Sequence, residues 1–318
     1  MAGALIRIFG VLLMLSALAL PLVRAPDRAV ETLVARWAPP PSEFLDLGGQ
    51  LVHYRDEGPK SDAAPIVLLH GTSASLHTWD GWAAALRGQR RVIRLDLPGF
   101  GLTGPHSGPY AGQPYTATTD ARVVLDALDA LKLQRFVVAG NSLGGEVAWR
   151  IAQMAPQRVD RLVLVDSAGH DFNTDNVPLA WRMAGLPLVG GLIEHLLPRP
   201  LVVSGLVDVY GDPTRITDAL VDRYYELTLR SGNRRALVER IRQMKLGDGQ
   251  AQISTLKLPT LIVWGGRDKL IPPDHATRFQ REIAGSQLAM FPALGHVPHE
   301  EDPAATMVPV KAFLGLAP

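Results

Sequence analysis

One serine in this chain has the sequence context of an activated nucleophile. Ser142 stands in Gly140-Asn141-Ser142-Leu143-Gly144, after an apolar run at 137–139 and before an amphipathic stretch that ends near residue 154. This pattern predicts a buried strand, a sharp turn and a helix. Side chains beside a serine on such a turn would collide, which favours glycine at positions 140 and 144. We therefore predict that Ser142 attacks a carbonyl group, with the helix N-terminus stabilising the negative charge that develops.

A nucleophilic serine needs a base, and the base needs a carboxylate to orient it. Asp268 follows an apolar run at 261–264 and the glycine pair Gly265-Gly266, so it should lie at the same sheet edge as Ser142. His296 follows a second strand-to-loop transition near residue 291. Serine, acid and histidine occur in the chain order expected for this topology. We predict Asp268 as the acid and His296 as the base.

Two other residues compete for these roles. Asp166 also follows a predicted strand, at 161–165, and the chemistry requires only that a carboxylate reach the imidazole. His299 lies close to His296, but the acidic residues that follow it suggest that it begins the last helix, where it would cap the helix or be solvated. We prefer Asp268 and His296 and keep Asp166 as the alternative acid.

The third requirement is a pair of backbone amides that bind the oxyanion of the intermediate. The amide after the nucleophile, that of Leu143, supplies one donor. The motif His70-Gly71-Thr72-Ser73 follows a predicted strand at 66–69, so the Thr72 amide is the expected second donor, with Ser73 as an alternative. Each such donor contributes about 2.7 to 4 kcal/mol in the transition state. His70 itself is interpreted as structural.

Composition narrows the function. The chain has 318 residues, of which 47% are hydrophobic, so it can bury a sizeable core. The formal net charge of +1 gives no basic surface for nucleic acid, and we expect no nucleic-acid partner. The absence of cysteine excludes disulfides, thiolate metal sites and a cysteine nucleophile. A serine, histidine and aspartate need no metal or organic cofactor, so none is expected.

Strand and helix patterns alternate through most of the chain. This alternation predicts a mostly parallel sheet with helices on both faces, whose carboxyl edge would bring the candidate residues together. Gly48 and Gly49 are predicted to connect the first two strands as a hairpin. The predicted strands lie at 43–47, 51–55, 66–69, 91–95, 135–139, 161–165, 260–264 and 287–291, and the predicted helices at 79–86, 118–131, 143–154, 275–283 and 304–313.

The alternation stops between residues 167 and 251. Helical patterns at 179–183, 192–197, 216–229 and 234–245 take its place, interrupted by Pro187, Pro198 and Pro200. A long insertion at the carboxyl end of a central strand lies above the site where open α/β sheets bind ligands. We therefore predict a helical cap at 168–250 that shapes substrate access, between two parts of the core at 43–167 and 251–318. The alternative is a separate domain without contact to the site.

The first 25 residues have the pattern of a secretory signal or membrane anchor. An apolar run at 8–23 follows Arg7, and Ala17-Leu18-Ala19 offers a cleavage site. As a helix this run spans about 24 Å, while residues 4–23 would cross a layer of about 30 Å if Arg7 snorkelled. We favour an uncleaved anchor and expect the domain to be membrane-anchored or exported, outside the cytoplasm.

Residues 26–42 are predicted to form an amphipathic helix and a proline-rich linker. Val30, Leu33, Val34 and Trp37 share one helical face, which suits either a membrane surface or packing against the domain. Both interpretations remain open from the sequence. The prolines at 39–41 would then act as a stiff spacer.

With these motifs in order, the chain resembles the α/β-hydrolase family, in particular its capped serine members. The resemblance covers about residue 43 to the C-terminus. It implies an α/β-hydrolase fold with the cap inserted after the sixth strand, a Ser142-His296-Asp268 triad, an oxyanion hole formed by the Thr72 and Leu143 amides, and a pocket under the cap. The motifs that carry it are His70-Gly71, Asp96-Leu97-Pro98-Gly99-Phe100-Gly101, Gly140-Asn141-Ser142-Leu143-Gly144-Gly145, Gly265-Gly266-Arg267-Asp268, and Gly295-His296 with Glu301-Asp302-Pro303.

The resemblance separates the branches of this family. Haloalkane dehalogenases and epoxide hydrolases are known for an aspartate where Ser142 stands, which argues against both activities. Hydrolases that cleave carbon-carbon bonds in ring-fission products share Gly140-Asn141-Ser142, but they usually have tryptophan after the catalytic histidine, where Val297 stands here. Cofactor-free haloperoxidase-like esterases also share the motifs.

The leading hypothesis is therefore a carboxylic ester hydrolase acting on a small-molecule substrate. An apolar stretch at 186–197 suggests a hydrophobic acyl or alcohol group, although it would equally serve as core of the cap. The runner-up is a carbon-carbon hydrolase of a vinylogous diketone acid, with Arg182 or another cap cation binding the carboxylate. A third hypothesis is a non-catalytic binding protein tethered to a membrane, against which the complete triad argues. Oligomeric state is left open.

Overall fold

A computed structural model describes residues 24–171 and 195–317, together with the isolated positions 7, 10, 14, 177, 182, 183 and 186. The strands are β1 Ser42–Asp46, β2 Leu51–Glu57, β3 Ile66–Leu69, β4 Val92–Leu95, β5 Phe136–Asn141, β6 Val159–Val165, β7 Thr260–Gly265 and β8 Gln287–Phe291. The helices are α1 Val30–Trp37, α2 Asp80–Leu86, α3 Ala117–Ala130, α4 Leu143–Met154, α5 Arg199–Val209, α6 Asp218–Thr228, α7 Asn233–Gln243, α8 Asp274–Glu282, α9 Pro298–Glu301 and α10 Pro303–Leu314.

The strands form one eight-stranded sheet in the order β1-β2-β4-β3-β5-β6-β7-β8. β1 pairs antiparallel with β2 and β2 with β4, while the other pairs are parallel. The predicted hairpin is present, and Gly48 and Gly49 turn it with φ of 68° and 99°. The predicted mostly parallel sheet with flanking helices is confirmed. β3, β5, β6 and β7 consequently end at the same edge.

The central strands are buried because their side chains feed two cores, one on each face. Along β3, Val67 and Leu69 join the core that also contains residues of α3, α4 and α8. Ile66 and Leu68 point the other way, into the core completed by α2 and α10. A strand covered on both faces reads as a continuous apolar run, which is why β3, β5 and β7 were predictable from sequence.

An insertion between β6 and β7 carries α5, α6 and α7, as predicted for the cap. Predicted helices at 216–229 and 234–245 correspond to α6 and α7. Pro198 interrupts the helical pattern as predicted, since it precedes α5 as its N-cap. The interruption predicted at Pro200 is wrong, because Pro200 lies in the first turn of α5, where a missing N–H costs no hydrogen bond. The helix predicted at 179–183 lies mostly outside the described residues. The one predicted at 192–197 is wrong at its described end, since Leu196 forms an antiparallel bridge with Arg24.

Residues 24–38, which we call the N-terminal strap, bind across the cap and the core. Leu33 of α1 is buried against Leu102 of the core and Leu227 of the cap. Trp37 donates its indole N–H to Glu226 at 2.7 Å, and its carbonyl lies 2.8 Å from Nε2 of His77. Packing on the domain, rather than lying on a membrane, is therefore the interpretation that the structure supports for α1.

The predicted signal or anchor at 1–25 lies almost entirely outside the described residues. Within the part of the chain that is described, no helix has the length and apolar character needed to cross a membrane.

Candidate active site

Ser142 sits between β5 and α4 in a backbone conformation that L-residues rarely adopt. Its φ is 55° and its ψ is −119°. The turn is tight: a Cβ on Gly140 would overlap the carbonyl of Gly144, and a Cβ on Gly144 would overlap the carbonyl of Leu69. The steric reason for glycine at these two positions is therefore present in the structure. Such strained residues cluster at functional sites because the surrounding structure must hold them in place.

His296 and Asp268 form a buried hydrogen-bonded pair. His296 Nδ1 lies 2.7 Å from Asp268 Oδ2. The other oxygen of Asp268 accepts hydrogen bonds from the amides of Leu270 at 2.8 Å and Ile271 at 2.9 Å, which fix the carboxylate. Neither His296 Nε2 nor Ser142 Oγ makes a hydrogen bond within the described part of the chain. Both atoms are free to act on a substrate.

Asn141, the residue before the serine, links the serine turn to the histidine loop. Its Nδ2 donates to the carbonyl of His296 at 2.9 Å and to that of Val165 at 3.1 Å. The amide of His296 in turn donates to the carbonyl of Val209, at the end of cap helix α5, at 2.7 Å. The backbone of His296 is thus held by the sheet on one side and by the cap on the other. Sequence reasoning did not assign Asn141 this role.

A single buried carboxylate ties the cap to the histidine loop. Glu301 accepts hydrogen bonds from the amides of Gly295 at 2.8 Å, Gly211 at 3.0 Å and Asp212 at 2.8 Å. The two segments are so close that a Cβ on Gly295 or Gly211 would overlap the backbone of the other. We call this arrangement the Glu301 clasp. The motif at 301–303 was noticed in the sequence, but the three amides could not be predicted from it.

The two predicted oxyanion donors lie beside the serine. Thr72 and Leu143 line the same cavity as Ser142, and neither amide donates a hydrogen bond among the described residues. Gly71 allows the loop to approach, since a Cβ there would lie 2.9 Å from Asn141 Oδ1 and 3.1 Å from the Ser142 Cβ. Two unpaired amides beside a nucleophile are suited to binding an oxyanion.

The other residues of this loop have structural positions. His70 is fully buried, accepts from the Leu97 amide at 2.9 Å through Nε2, and donates through Nδ1 to the Gly71 carbonyl at 2.7 Å. Burial lowers the pKa of His70 and keeps it neutral. Ser73, the alternative donor, does not line the cavity around Ser142.

His299 and Asp166, the alternative histidine and the alternative acid, are both buried, but they differ in what they contact. His299 was expected to cap a helix or be solvated, and this was wrong. It is fully buried in α9, with Nε2 3.2 Å from Thr78 Oγ1 and its ring 4.0 Å from that of Trp79. Burial lowers the pKa of His299 well below its usual range, so it is a neutral core residue.

Asp166 lies next to the histidine pair without joining it. Its Oδ1 accepts from the Gly265 amide at 2.9 Å, while His296 is hydrogen-bonded to Asp268 instead. Ligand atoms of Asp166, Asp268 and His296 all lie within 4.8 Å of one another, a spacing that could surround a cation. However, the 2.7 Å hydrogen bond between Asp268 and His296 already uses one atom of each. We identify no metal ligands among the described residues.

A cavity of about 230 Å³ opens at Ser142, lined by core and cap residues. Its apolar lining includes Leu143, Leu270 and Ile271, and its polar lining includes two arginines. Arg150 pairs with Glu146 at 2.9 Å and with Asp248 at 3.2 Å. Arg240 donates two hydrogen bonds to the buried Asp120, at 2.7 and 3.1 Å. Both guanidinium groups are therefore already neutralised.

Two further cations lie at or near the cap. Lys245 lines the cavity, is exposed and forms no ion pair with another described residue. Arg182, predicted as a carboxylate-binding cation, is exposed and is not among the residues that line the cavity.

Comparison with known proteins gives consistent similarities. The alpha/beta hydrolase fold model matches residues 64–303. An uncharacterised protein of Mycobacterium tuberculosis is 31% identical over 292 residues, which cover 87% of this chain and 82% of that protein. A 2-hydroxy-6-oxo-2,4-heptadienoate hydrolase of Pseudomonas putida is 30% identical over 244 residues, which cover 73% of this chain and 82% of the relative. The solved meta-cleavage product hydrolase of Pseudomonas fluorescens is 27% identical, with a TM-score of 0.70 over 86% of this chain and 97% of that one.

Proposed function

Because the chain belongs to the α/β-hydrolase fold family, we propose that it is a serine hydrolase that cleaves carboxylic esters. Ser142 is the nucleophile, His296 the general base and Asp268 the acid that orients the imidazole. One observation carries this proposal: a serine held at φ 55° opens onto a cavity, and the side chain of the preceding Asn141 is hydrogen-bonded to the backbone of His296, whose imidazole is joined to the buried Asp268 by a 2.7 Å hydrogen bond.

Acylation begins when Ser142 Oγ attacks the ester carbonyl and its proton passes to Nε2 of His296. The imidazolium that forms donates through Nδ1 to the Asp268 carboxylate. Negative charge on the carbonyl oxygen is bound by the amides of Thr72 and Leu143, aided by the N-terminus of α4. His296 then gives its proton to the departing alkoxide, which leaves as an alcohol.

Deacylation repeats these steps with water. His296 removes a proton from a water molecule, the resulting hydroxide adds to the acyl carbon, and the second tetrahedral intermediate releases the acid product as Ser142 regains its proton. Every proton transfer runs through one imidazole nitrogen. No metal or cofactor takes part in the proposed reaction.

The charges around the cavity favour a neutral ester as the substrate. Arg150 and Arg240 are occupied by carboxylates, so neither is free to bind a substrate carboxylate without breaking an existing pair. Breaking a buried pair is strongly unfavourable. Apolar residues next to Ser142 suit a hydrophobic acyl group or alcohol.

Carbon-carbon bond hydrolysis is the second candidate. It is favoured by the 30% identity to a 2-hydroxy-6-oxo-2,4-heptadienoate hydrolase and by the unpaired Lys245 at the cavity. Against it, the position after His296 is occupied by Val297, which packs with cap residues Leu206, Tyr210 and Val221. A third candidate, a non-catalytic binding protein, would leave the strained serine without a role.

A substrate panel separates these candidates. We expect the full-length protein to hydrolyse p-nitrophenyl esters, and to be labelled once, at Ser142, by a fluorophosphonate. Turnover of a vinylogous diketone acid with no ester cleavage would replace the leading proposal by the second. Absence of both turnover and labelling would favour the binding protein.

We also propose that the protein is membrane-anchored or exported, supported by the apolar run at 8–23. Fractionation and the mass of the mature chain test this. An intact chain in the membrane pellet supports an anchor, and a shortened soluble chain supports export. An intact chain in the cytosol would refute both.

A further inference from the structure

The carboxyl group of Asp166 is buried and only half satisfied. Asp166 has no exposed surface, and its Oδ1 accepts from the Gly265 amide at 2.9 Å. Its Oδ2 is buried and has no hydrogen-bond partner among the described residues. The backbone of Asp166 has a φ of 42°, in the left-handed region that non-glycine residues seldom occupy. Both the strained backbone and the unpartnered buried oxygen of Asp166 cost stability, and a residue retained at that cost points to a function.

The groups that face Asp166 are mostly acidic. Asp268 comes from the loop after β7, Glu301 from α9, and His296 from the loop after β8. Two ionised carboxylates within this buried cluster would repel each other strongly, because a buried site screens charge poorly. Burial first, and then the negative charge of Asp268, raise the pKa of Asp166 well above its usual range.

We propose that Asp166 is a neutral carboxylic acid that donates its proton from Oδ2 to the Asp268 carboxylate, and so positions the acid of the triad. This inference rests on the proposed function, because it assigns a role relative to that triad. Protonation turns Oδ2 from an unpartnered acceptor into a donor, and Asp268 is the other carboxylate whose oxygen lies within 4.8 Å in the group formed with His296. The otherwise unexplained buried oxygen thereby gains a partner.

The consequence for Asp268 is that hydrogen bonds fix the orientation of its carboxylate. It accepts from the Leu270 and Ile271 amides, from His296 Nδ1 and, on this proposal, from Asp166. The Asp166–Asp268 pair then carries one negative charge beside the imidazole instead of two. A second charge would stabilise the imidazolium further and slow the return of its proton to the leaving group. Asp166 does not line the cavity at Ser142, and the hydrogen bond of His296 Nδ1 goes to Asp268, so Asp166 acts through Asp268.

Two substitutions of similar side-chain volume distinguish the role of Asp166 as a hydrogen-bond donor from its role in filling space. Asp166→Leu removes both hydrogen bonds, and kcat should fall roughly ten- to a hundredfold, the usual effect of losing a hydrogen bond to a charged group, with KM little changed. Asp166→Asn keeps an oxygen for the Gly265 amide and an N–H donor for Asp268. It should restore most of the kcat lost in D166L and leave the acidic limb of the pH–rate profile where it is in the wild type.

Infrared spectroscopy tests protonation without relying on activity. The wild type at neutral pH should show the C=O band of a protonated carboxyl that is missing in D166N. This comparison uses only the wild type and D166N, so it tests the proposal even if D166L does not fold. Absence of the difference band would overturn the proposal.

Three further results would overturn it. If D166N loses as much activity as Asp268→Asn, Asp166 is an ionised member of the triad. If D166N and D166L lose equal activity, the donor has no role. If a chelator abolishes the activity of the purified wild type, a cation and not a proton joins the carboxylates. Failure of the proposed function is recognised separately, because the wild type would then not be labelled by a fluorophosphonate.

Discussion

The serine turn and the histidine loop are joined through Asn141 but are held by different forces. Ser142 follows β5, whose residues are all buried, and its turn is fixed by close backbone contacts. His296 follows β8, which is partly exposed at the edge of the sheet, and its loop is held by hydrogen bonds to Asn141, Val209 and Glu301. Removing the Ser142 hydroxyl should therefore remove chemistry alone, whereas changes at the loop should affect both chemistry and stability.

Ser142→Ala should have the largest effect on activity and almost none on folding. Loss of the nucleophile is expected to lower kcat by roughly a millionfold, as for other serine hydrolases that lose it. The methyl group of alanine fits where the hydroxymethyl group was. Turnover of p-nitrophenyl esters and the melting temperature are the measurements. Activity within a hundredfold of the wild type would exclude Ser142 as nucleophile.

Asp268→Asn should lower kcat by about 10⁴ while the protein remains folded, because the asparagine oxygen is kept by the Leu270 and Ile271 amides. Its NH2 group then donates to His296 Nδ1 and fixes the imidazole in the wrong tautomer. The matched control is Asp274→Asn, at an exposed residue at the start of α8, which should leave turnover as it is. Steady-state kinetics and circular dichroism decide the result. Equal losses in the two variants would remove Asp268 from the mechanism.

Glu301→Gln tests how the histidine loop is held. One glutamine oxygen cannot replace both carboxylate oxygens of the clasp, so we expect a loss of about 1 to 3 kcal/mol in the free energy of unfolding. kcat should also fall, by roughly tenfold, since the backbone of His296 is less well held. Denaturant unfolding and kinetics are measured together, with the exposed Glu31→Gln as control. A variant that loses stability but keeps full kcat would show that the clasp does not position the base.

The last prediction concerns stability alone, at the strap, and the effect appears only at acidic pH. Burial lowers the pKa of His77, which contacts the Trp37 carbonyl, to about 4. The unfolded chain binds this proton near pH 6.5, so the stability contribution is complete above pH 6.5 and is lost as the pH falls toward 4. Wild type should lose about 1.4 kcal/mol more per pH unit in this window than His77→Gln.

Unfolding free energies at pH 7, 6 and 5 measure that difference. Parallel pH dependence of the two proteins would mean that His77 has the same pKa in the folded and unfolded states, and the lowered pKa assigned to it would be wrong.

Sequence patterns predicted the serine turn well and the contacts of the histidine loop poorly, for a physical reason. β3 and α4 were predicted to the residue, and the glycines around Ser142 were explained, because these features depend on neighbours in the chain. The bond from Asn141 to His296 spans 155 residues, and that from Gly211 to Glu301 spans 90. No local pattern encodes such pairs. His299 was misplaced for the same reason, since Trp79, far away in sequence, buries it.

The strap also sets an order of events during synthesis. Arg36 in α1 bonds to Glu226 in α6, a residue that follows 190 positions later. At 5 to 20 residues per second, the ribosome needs roughly 10 to 40 s to reach it. For that time the apolar face of α1 has no cap to cover it, although it is among the first parts of the chain to be made. The strap must therefore dock late, after the cap has emerged, and the interval before docking is when a chaperone would have the most to bind.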